Sequence, residues 1–192
     1  MTGPQPPTRP AVFLDRDGVL NRPLVRNGRP HPPHSVDEFK LYPEAAAACR
    51  RLHALGLVLV IVTNQPDVAR GELDVEVVEA IHRELRRHVP IDGLYVCLHD
   101  DSDRCGCRKP APGLLTAAAA DLELELGHSF MVGDRWRDVE AGKRAGCRTV
   151  HIDRGYREQL ARGADFVAPS LAEAVLWIGT VMVAEGVAGG RG

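Results

Sequence analysis

Phe13-Leu14-Asp15-Arg16-Asp17-Gly18 places two carboxylates two residues apart, where the apolar run Ala11-Val12-Phe13-Leu14 breaks into a glycine turn. Acids at the C-terminal tip of a strand suit a divalent cation and an attack on an electrophile. Three further pieces follow in order: Thr63-Asn64-Gln65 after a branched aliphatic run, Arg108-Lys109-Pro110, and Gly133-Asp134 with Asp138 four residues on. Ahead of the lysine lies a second cluster, Cys97, His99, Cys105 and Cys107, within eleven residues. Alternate residues of an extended segment face the same way, so each C-x-H or C-x-C pair presents both ligands to one side. Three thiolates and an imidazole make a closed tetrahedral zinc set, with no position left for catalysis. Because Cys107 runs directly into Arg108 and Lys109, a structural Zn²⁺ would fix the loop that delivers both cations. Cys49 and Cys147 read as ordinary buried thiols.

The ordered set D-x-D-G…T-N…K…G-D-x-x-x-D resembles the haloacid-dehalogenase superfamily, whose phosphatase branch uses an aspartate nucleophile. The resemblance implies that Asp15 attacks phosphorus and forms an aspartyl-phosphate. Carboxylates repel a phosphate dianion by about 4 kcal/mol at ~4 Å and an effective dielectric of about 20. Mg²⁺ held by Asp15, the Asp17 carbonyl and Asp134 offsets that repulsion. The Asp17 side chain then serves as general acid and base. The Thr63 hydroxyl and the Asn64 backbone N–H donate to phosphoryl oxygens, and Lys109 supplies a fixed cation. Asp138 supports Lys109 or a metal-bound water; taken alone, it would read as a helix cap.

A narrower resemblance rests on Asp15-Arg16-Asp17-Gly18-Val19-Leu20-Asn21, Thr63-Asn64-Gln65, Val68-Ala69-Arg70-Gly71, Cys-x-His…Cys-x-Cys-Arg-Lys-Pro-x-Pro-Gly and Met131-Val132-Gly133-Asp134. Over residues 11 to 178 the chain resembles the D-glycero-D-manno-heptose-1,7-bisphosphate 7-phosphatase family, whose close relative is the histidinol-phosphate phosphatase domain. That implies a Rossmannoid α/β fold: a mostly parallel sheet with helices on both faces, no large cap domain and a small zinc-binding loop. It implies Mg²⁺, structural Zn²⁺ and a sugar bisphosphate substrate met by Asn64, Gln65, Arg108 and Arg135. Arg70 and the loop's Arg22 or Arg26 are further candidates for its second anion; taken alone, the loop arginines read as solvated surface charges. The short spacing from His99 to Cys105 keeps histidinol phosphate, or another small phosphomonoester, as the alternative.

The elements that must position these groups alternate between apolar runs and helical patterns, the signature of βαβ units. Strands are expected at 11–14, 57–62, 93–97, 130–132 and 149–152. Helices are expected at 43–55, 74–88, 113–126, 136–145 and 170–184, with Asp74 as an N-cap and Ser170/Glu173 as a capping box. Between the first strand and first helix, Asn21 to Tyr42 is long for a connection and reads as a functional flap; its His31 and His34 have no partners in sequence. The expected organisation is a disordered lead-in over 1–10, one phosphatase domain over 11–185 and a flexible tail over 186–192.

The chain of 192 residues is 44% hydrophobic and 26% charged with a net charge of −2, so it suits one soluble domain with a real core. The balance offers no basic stripe for nucleic acid. No stretch reaches the roughly 20 apolar residues of a membrane span. Clustered cysteines without an export signal point to a reducing cytoplasm, and a monomer is expected.

Overall fold

Every residue of β1 (Ala11–Leu14) is buried, because the strand lies inside a six-stranded sheet with a separate core on each face. Val12 and Leu14 point into one core, Ala11 and Phe13 into the other. The alternation repeats in β4 (Val58–Asn64), where Leu59 and Ile61 oppose Val58, Val60 and Val62. In β6 (Phe130–Gly133), Phe130 and Val132 oppose Met131. A continuous aliphatic run is what a parallel strand covered on both faces requires. The computed structural model describes residues 9–186.

With β5 (Gly93–Cys97), β7 (Arg148–Ile152) and β8 (Phe166–Ala168), the strand order is β5-β4-β1-β6-β7-β8, every neighbouring pair parallel. On the first face, α1 (Ala45–Ala54), α2 (Val75–His88) and α5 (Leu171–Ala184) bury Leu52, Ile81, Leu85 and Ile178. On the second, α3 (Gly113–Leu122) and α4 (Trp136–Ala145) bury Leu115, Ala118 and Ala141. The chain moves outward from β1 through β4 to β5, then returns to the other side of β1 for β6. That reversal opens a crevice beyond the strands' C-terminal ends. The tips of β1, β4 and β6 converge there.

The structure departs from the sequence expectations in a few places. Within the flap, β2 (Leu24–Arg26) and β3 (Arg29–His31) form an antiparallel hairpin. Its turn is Asn27-Gly28, both at positive φ (53° and 76°), the pairing that matches the twist of two strands. Helix α3 stops at Leu122 rather than 126, since Glu123 turns left-handed (φ 55°) and the next residues bridge to Arg9. The Arg9 N–H donates to the Glu123 carbonyl (3.3 Å), and the Arg9 carbonyl accepts from Glu125 (3.0 Å). Residues 9 and 10 therefore already approach the sheet. The rest of the expected lead-in, and the tail beyond 186, lie outside the described residues. Ser170 Oγ accepts from the Glu173 N–H (3.3 Å), half of the expected box, while Asp74 sits at the N-cap position without a side-chain bond.

The two-sided core makes a direct test. Ile61→Ala, at a fully buried central position, is expected to lower unfolding free energy by about 2–5 kcal/mol. Val25→Ala on the hairpin, 57% exposed, should stay within about 0.5 kcal/mol. Urea denaturation checks both, and equal effects would contradict the layering.

Candidate active site

Asp15 leaves the tip of β1 and meets Lys109, whose Nζ lies 2.8 Å from Asp15 Oδ1, 2.6 Å from Asp138 Oδ1 and 2.8 Å from the Val62 carbonyl. The lysine side chain is 2% exposed, and three acceptors use all of its N–H groups. Asn64 holds its main chain: Asn64 Nδ2 donates to the Lys109 carbonyl (3.0 Å), and Asn64 Oδ1 accepts from the Lys109 N–H (3.1 Å). Asp138 plays two parts. In the first turn of α4 its Oδ2 accepts from the Arg135 N–H (3.0 Å), while Oδ1 pairs with Lys109. The cap and the ion pair are one side chain.

Burial is the largest influence on Asp15, Asp134 and Lys109. It pushes the Asp15 carboxyl up to about 6, with Lys109 opposing and Asp138 and Asp17 reinforcing. It raises Asp134 well above the usual carboxylate range, helped by Asp15 and Asp138. For Lys109, burial acts downward but is outweighed by Asp138 and Asp15, so the ammonium is kept. Gly18 (φ +85°) packs so closely on Asp134 that a Cβ there would fall on its carboxylate.

Asp17 is built the opposite way. Arg16 Nη2 and Nε reach its two oxygens (2.7 and 3.2 Å), Asn21 Nδ2 donates at 2.9 Å, and Gln65 Nε2 donates at 2.8 Å. Burial would raise this carboxyl, but the charge of Arg16 and these hydrogen bonds more than reverse it, and its pKa is lowered. Gln65, expected at the substrate, is instead fully buried and also donates to the Thr63 hydroxyl (2.9 Å). Behind them, Arg16 Nη1 donates to His82 Nε2 (3.0 Å) on α2. Arginine has no acceptor, so His82 carries its proton on Nδ1 and is neutral.

Two clusters have the donor sets of metal sites. The carboxylate oxygens of Asp15, Asp134 and Asp138 lie within 4.8 Å of one another. Neither oxygen of Asp134 receives a well-aligned hydrogen bond, although the Tyr156 hydroxyl interacts with this carboxylate. Buried acceptors left free in this way fit a hard cation. In the second cluster, Cys107 Sγ lies 3.2 Å from Cys97 Sγ and 3.4 Å from Cys105 Sγ. Cys97 Sγ to Cys105 Sγ is 3.7 Å, and His99 Nδ1 is 3.4 Å from Cys107. A tetrahedron with Zn–S of about 2.3 Å has edges near these values. Cys49 and Cys147 are buried thiols.

Above the carboxylates opens a cavity of about 360 Å³, walled by Thr63, Asn64 and Lys109 below and by arginines at its rim. Arg108 and Arg135, expected there, are both on its wall, and so is Arg70. Arg22 and Arg26 are not; instead the hairpin contributes Arg29 and His31, and α4 contributes Arg137. Four of the five rim arginines are ion-paired: Arg135 with Glu158, Arg70 with Asp67 and Asp100, and Arg108 and Arg137 with Asp101. His34, unpartnered in sequence, reaches Asp67 at 3.3 Å and ties the flap to the loop after β4. Arg154 donates to the Gly18 carbonyl (2.9 Å) and stacks over Tyr42, steadying the turn beneath Asp17. For Arg29 the Asn27-Gly28 hairpin signal was available in sequence; for Arg137, Arg154 and Glu158 no local pattern marks the role.

An aspartate–lysine pair at the central strand tip, with Asp134 after the neighbouring strand β6 and Asp138 in α4, fits the haloacid-dehalogenase class of hydrolases, and the family described as HAD-hyrolase-like matches residues 106–174. The chain is 37% identical to the D-glycero-beta-D-manno-heptose-1,7-bisphosphate 7-phosphatase of Yersinia pestis, over 85% of this chain and 92% of that one. It is 33% identical to the D-glycero-D-manno-heptose-1,7-bisphosphate 7-phosphatase of Thermosynechococcus vestitus, over 90% and 96%. Among solved structures, it resembles the D,D-heptose 1,7-bisphosphate phosphatase of B. bronchiseptica complexed with magnesium and phosphate (TM-score 0.76, 30% identity, 90% of this chain and 99% of that one). The chain belongs to the D-glycero-D-manno-heptose-1,7-bisphosphate 7-phosphatase family and is a phosphoric monoester hydrolase.

The Arg16–His82 bond has a pH signature. Burial, and then Arg16, push His82 down to about 3 from an ordinary 6.5. Between these values the unfolded chain binds the extra proton, so stability is lost as pH falls, by about 1.4 kcal/mol per unit. His82→Gln keeps an acceptor for Arg16 and cannot titrate. From about pH 6.5 to about pH 4.5 the wild type is expected to lose roughly 2–3 kcal/mol more than this variant by urea unfolding. Parallel pH curves would show that His82 is not held neutral.

Proposed function

We propose that this enzyme removes the 7-phosphate of D-glycero-D-manno-heptose 1,7-bisphosphate through an aspartyl-phosphate on Asp15. The observation that carries the reading is the convergence of Asp15, Lys109 and Asp134 on the floor of a cavity whose rim holds several arginines. A monoester alone needs the floor; a second anionic group gives the rim a purpose. The resemblance to heptose bisphosphate phosphatases in sequence and fold agrees.

A Mg²⁺ ion held by the Asp15 and Asp134 side chains and the Asp17 carbonyl would offset the negative charge of a phosphoryl group brought against these carboxylates. Asp15 attacks phosphorus, forming its O–P bond as the bond to the sugar oxygen breaks. Asp17 gives the departing oxygen a proton, then takes one from the water that hydrolyses the acyl phosphate. Its lowered pKa leaves Asp17 ionised and suited to the base step; to act as the acid it first takes the proton of a monoanionic phosphomonoester and passes it to the departing oxygen. Thr63 and the Asn64 N–H contribute donors to the phosphoryl oxygens, and Lys109 keeps a positive charge beside the nucleophile. The cavity is complete within one chain, which supports a monomer as the working unit, and the five free thiols agree with a reducing cytoplasm. No described helix is long and apolar enough to cross a membrane.

Asp15→Asn is expected to lower phosphate release by about 10³-fold or more while leaving the fold intact by circular dichroism. On the wild type, kcat/KM for the heptose bisphosphate should exceed that for histidinol phosphate and fructose 1,6-bisphosphate at least about tenfold, or about 1.4 kcal/mol. If histidinol phosphate is preferred, the substrate assignment falls and the chemistry stands.

Zn²⁺ in the cysteine cluster would act at a distance from the chemistry, by holding the loop that ends in Arg108 and Lys109. Elemental analysis should find one zinc per chain. Chelating it, with Mg²⁺ restored in excess, is expected to cost about 10²-fold in activity, because small displacements of a catalytic group have effects of that size. Full activity in zinc-free protein would overturn this role.

A further inference from the structure

The two arginines nearest the zinc loop share one carboxylate. Arg108 Nε donates to Asp101 Oδ1 at 2.8 Å, and Arg137 Nη1 and Nη2 reach Oδ1 and Oδ2, both at 3.2 Å. Two guanidiniums thus converge on a single anion at the cavity rim, and all three residues line the cavity. Asp101 is also the most loosely held of the acids that pair with cavity-wall arginines. Its side chain is 56% exposed, against 26% for Asp100, 14% for Glu158 and 7% for Asp67. An ion pair so exposed contributes little to stability, so giving it up costs little. The arginines, by contrast, have other anchors. Arg108 is 10% exposed and donates to the His99 carbonyl (3.2 Å); Arg137 stacks over Trp136 (4.9 Å) and approaches the Lys109 carbonyl (3.4 Å). The turn carrying Asp101 is held separately, by the Asp100 N–H donating to Asp103 Oδ2 at 2.7 Å.

We propose that Asp101 is the protein's own anion at the distal subsite, exchanged for the second phosphate when a bisphosphate enters. This rests on the bisphosphate reading above and deepens it. A phosphate brings about two negative charges and three acceptor oxygens where the carboxylate brings one charge and two oxygens. The arginines therefore gain by the exchange, and Asp101 swings into solvent. A monophosphate has nothing to offer in return and leaves the pair closed. Asp101 acts through Arg108 and Arg137 rather than on the substrate: its competition for them limits how strongly bisphosphates are preferred.

The test compares Asp101→Asn with wild type, using fructose 1,6-bisphosphate and fructose 6-phosphate as competitors of p-nitrophenyl phosphate turnover. Removing the competing charge is expected to lower the bisphosphate inhibition constant relative to that of the monophosphate by about fivefold, or about 1 kcal/mol. A ratio that stays the same or moves the other way overturns the proposal, since a merely structural Asp101 would weaken the bisphosphate or affect both ligands alike. The outcome is independent of the heptose reading, which fails or stands on the wild-type substrate comparison.

Discussion

The ion pairs of Lys109 with Asp15 and Asp138 are the constraint around which the site is organised. Three carboxylates within 4.8 Å, all buried, are severely destabilising unless neutralised. One ammonium leaves two negative charges, which is the charge of one divalent cation. Without the cation, the other resort is protonation, and that is the direction in which burial and mutual repulsion push Asp15 and Asp134. The site is therefore arranged around a cation in its energetics as well as in its ligand types.

Lys109 lies on no regular element, so something else must supply its precision. The sheet fixes Asp15 and Asp134 through parallel strand pairing and two-sided burial. The loop carrying the lysine runs out of the thiol and imidazole cluster, and at the lysine itself it is held by the reciprocal Asn64 amide pair. Asn64 closes β4, whose Val62 carbonyl also receives the lysine Nζ. The lysine ammonium is thereby referenced to the same sheet as Asp15, and a loop attains the positional accuracy of a strand.

This division explains what could be read from the chain. Strands β1, β4 and β6 are buried on both faces and announce themselves as aliphatic runs, with acids following β1 and β6 and Thr63-Asn64 closing β4. Lys109 and the Cys/His cluster have spacings with a chemical meaning, so they too stand out in the sequence. The hairpin was signalled by Asn27-Gly28 but hidden in a Pro- and His-rich stretch, and β8 has only three residues, too few to show a period. Gln65 was misplaced because the direction of a side chain just past a strand end depends on a partner, Asp17, forty-eight positions away. Arg137 and Asp101 are thirty-six positions apart, and a pairing of long exposed side chains is decided by how loops fold back. No local pattern encodes it.

The two motif aspartates show how residues two apart acquire different work. Asp15 looks toward other acids and a single lysine, so its charge is unstable without a cation. Asp17 looks toward donors only, so its charge is stable without one. Environments that drive neighbouring carboxyls in opposite directions are the usual way to separate their roles. Here the separation depends on a chain of buried polar contacts, from His82 through Arg16 to Asp17, Gln65 and Thr63. Each member satisfies the next, and a neutral His82 is required at the far end because Arg16 can only donate. A helix on the back of the sheet, with no residue lining the cavity, thus helps to hold the Asp17 carboxylate in its orientation.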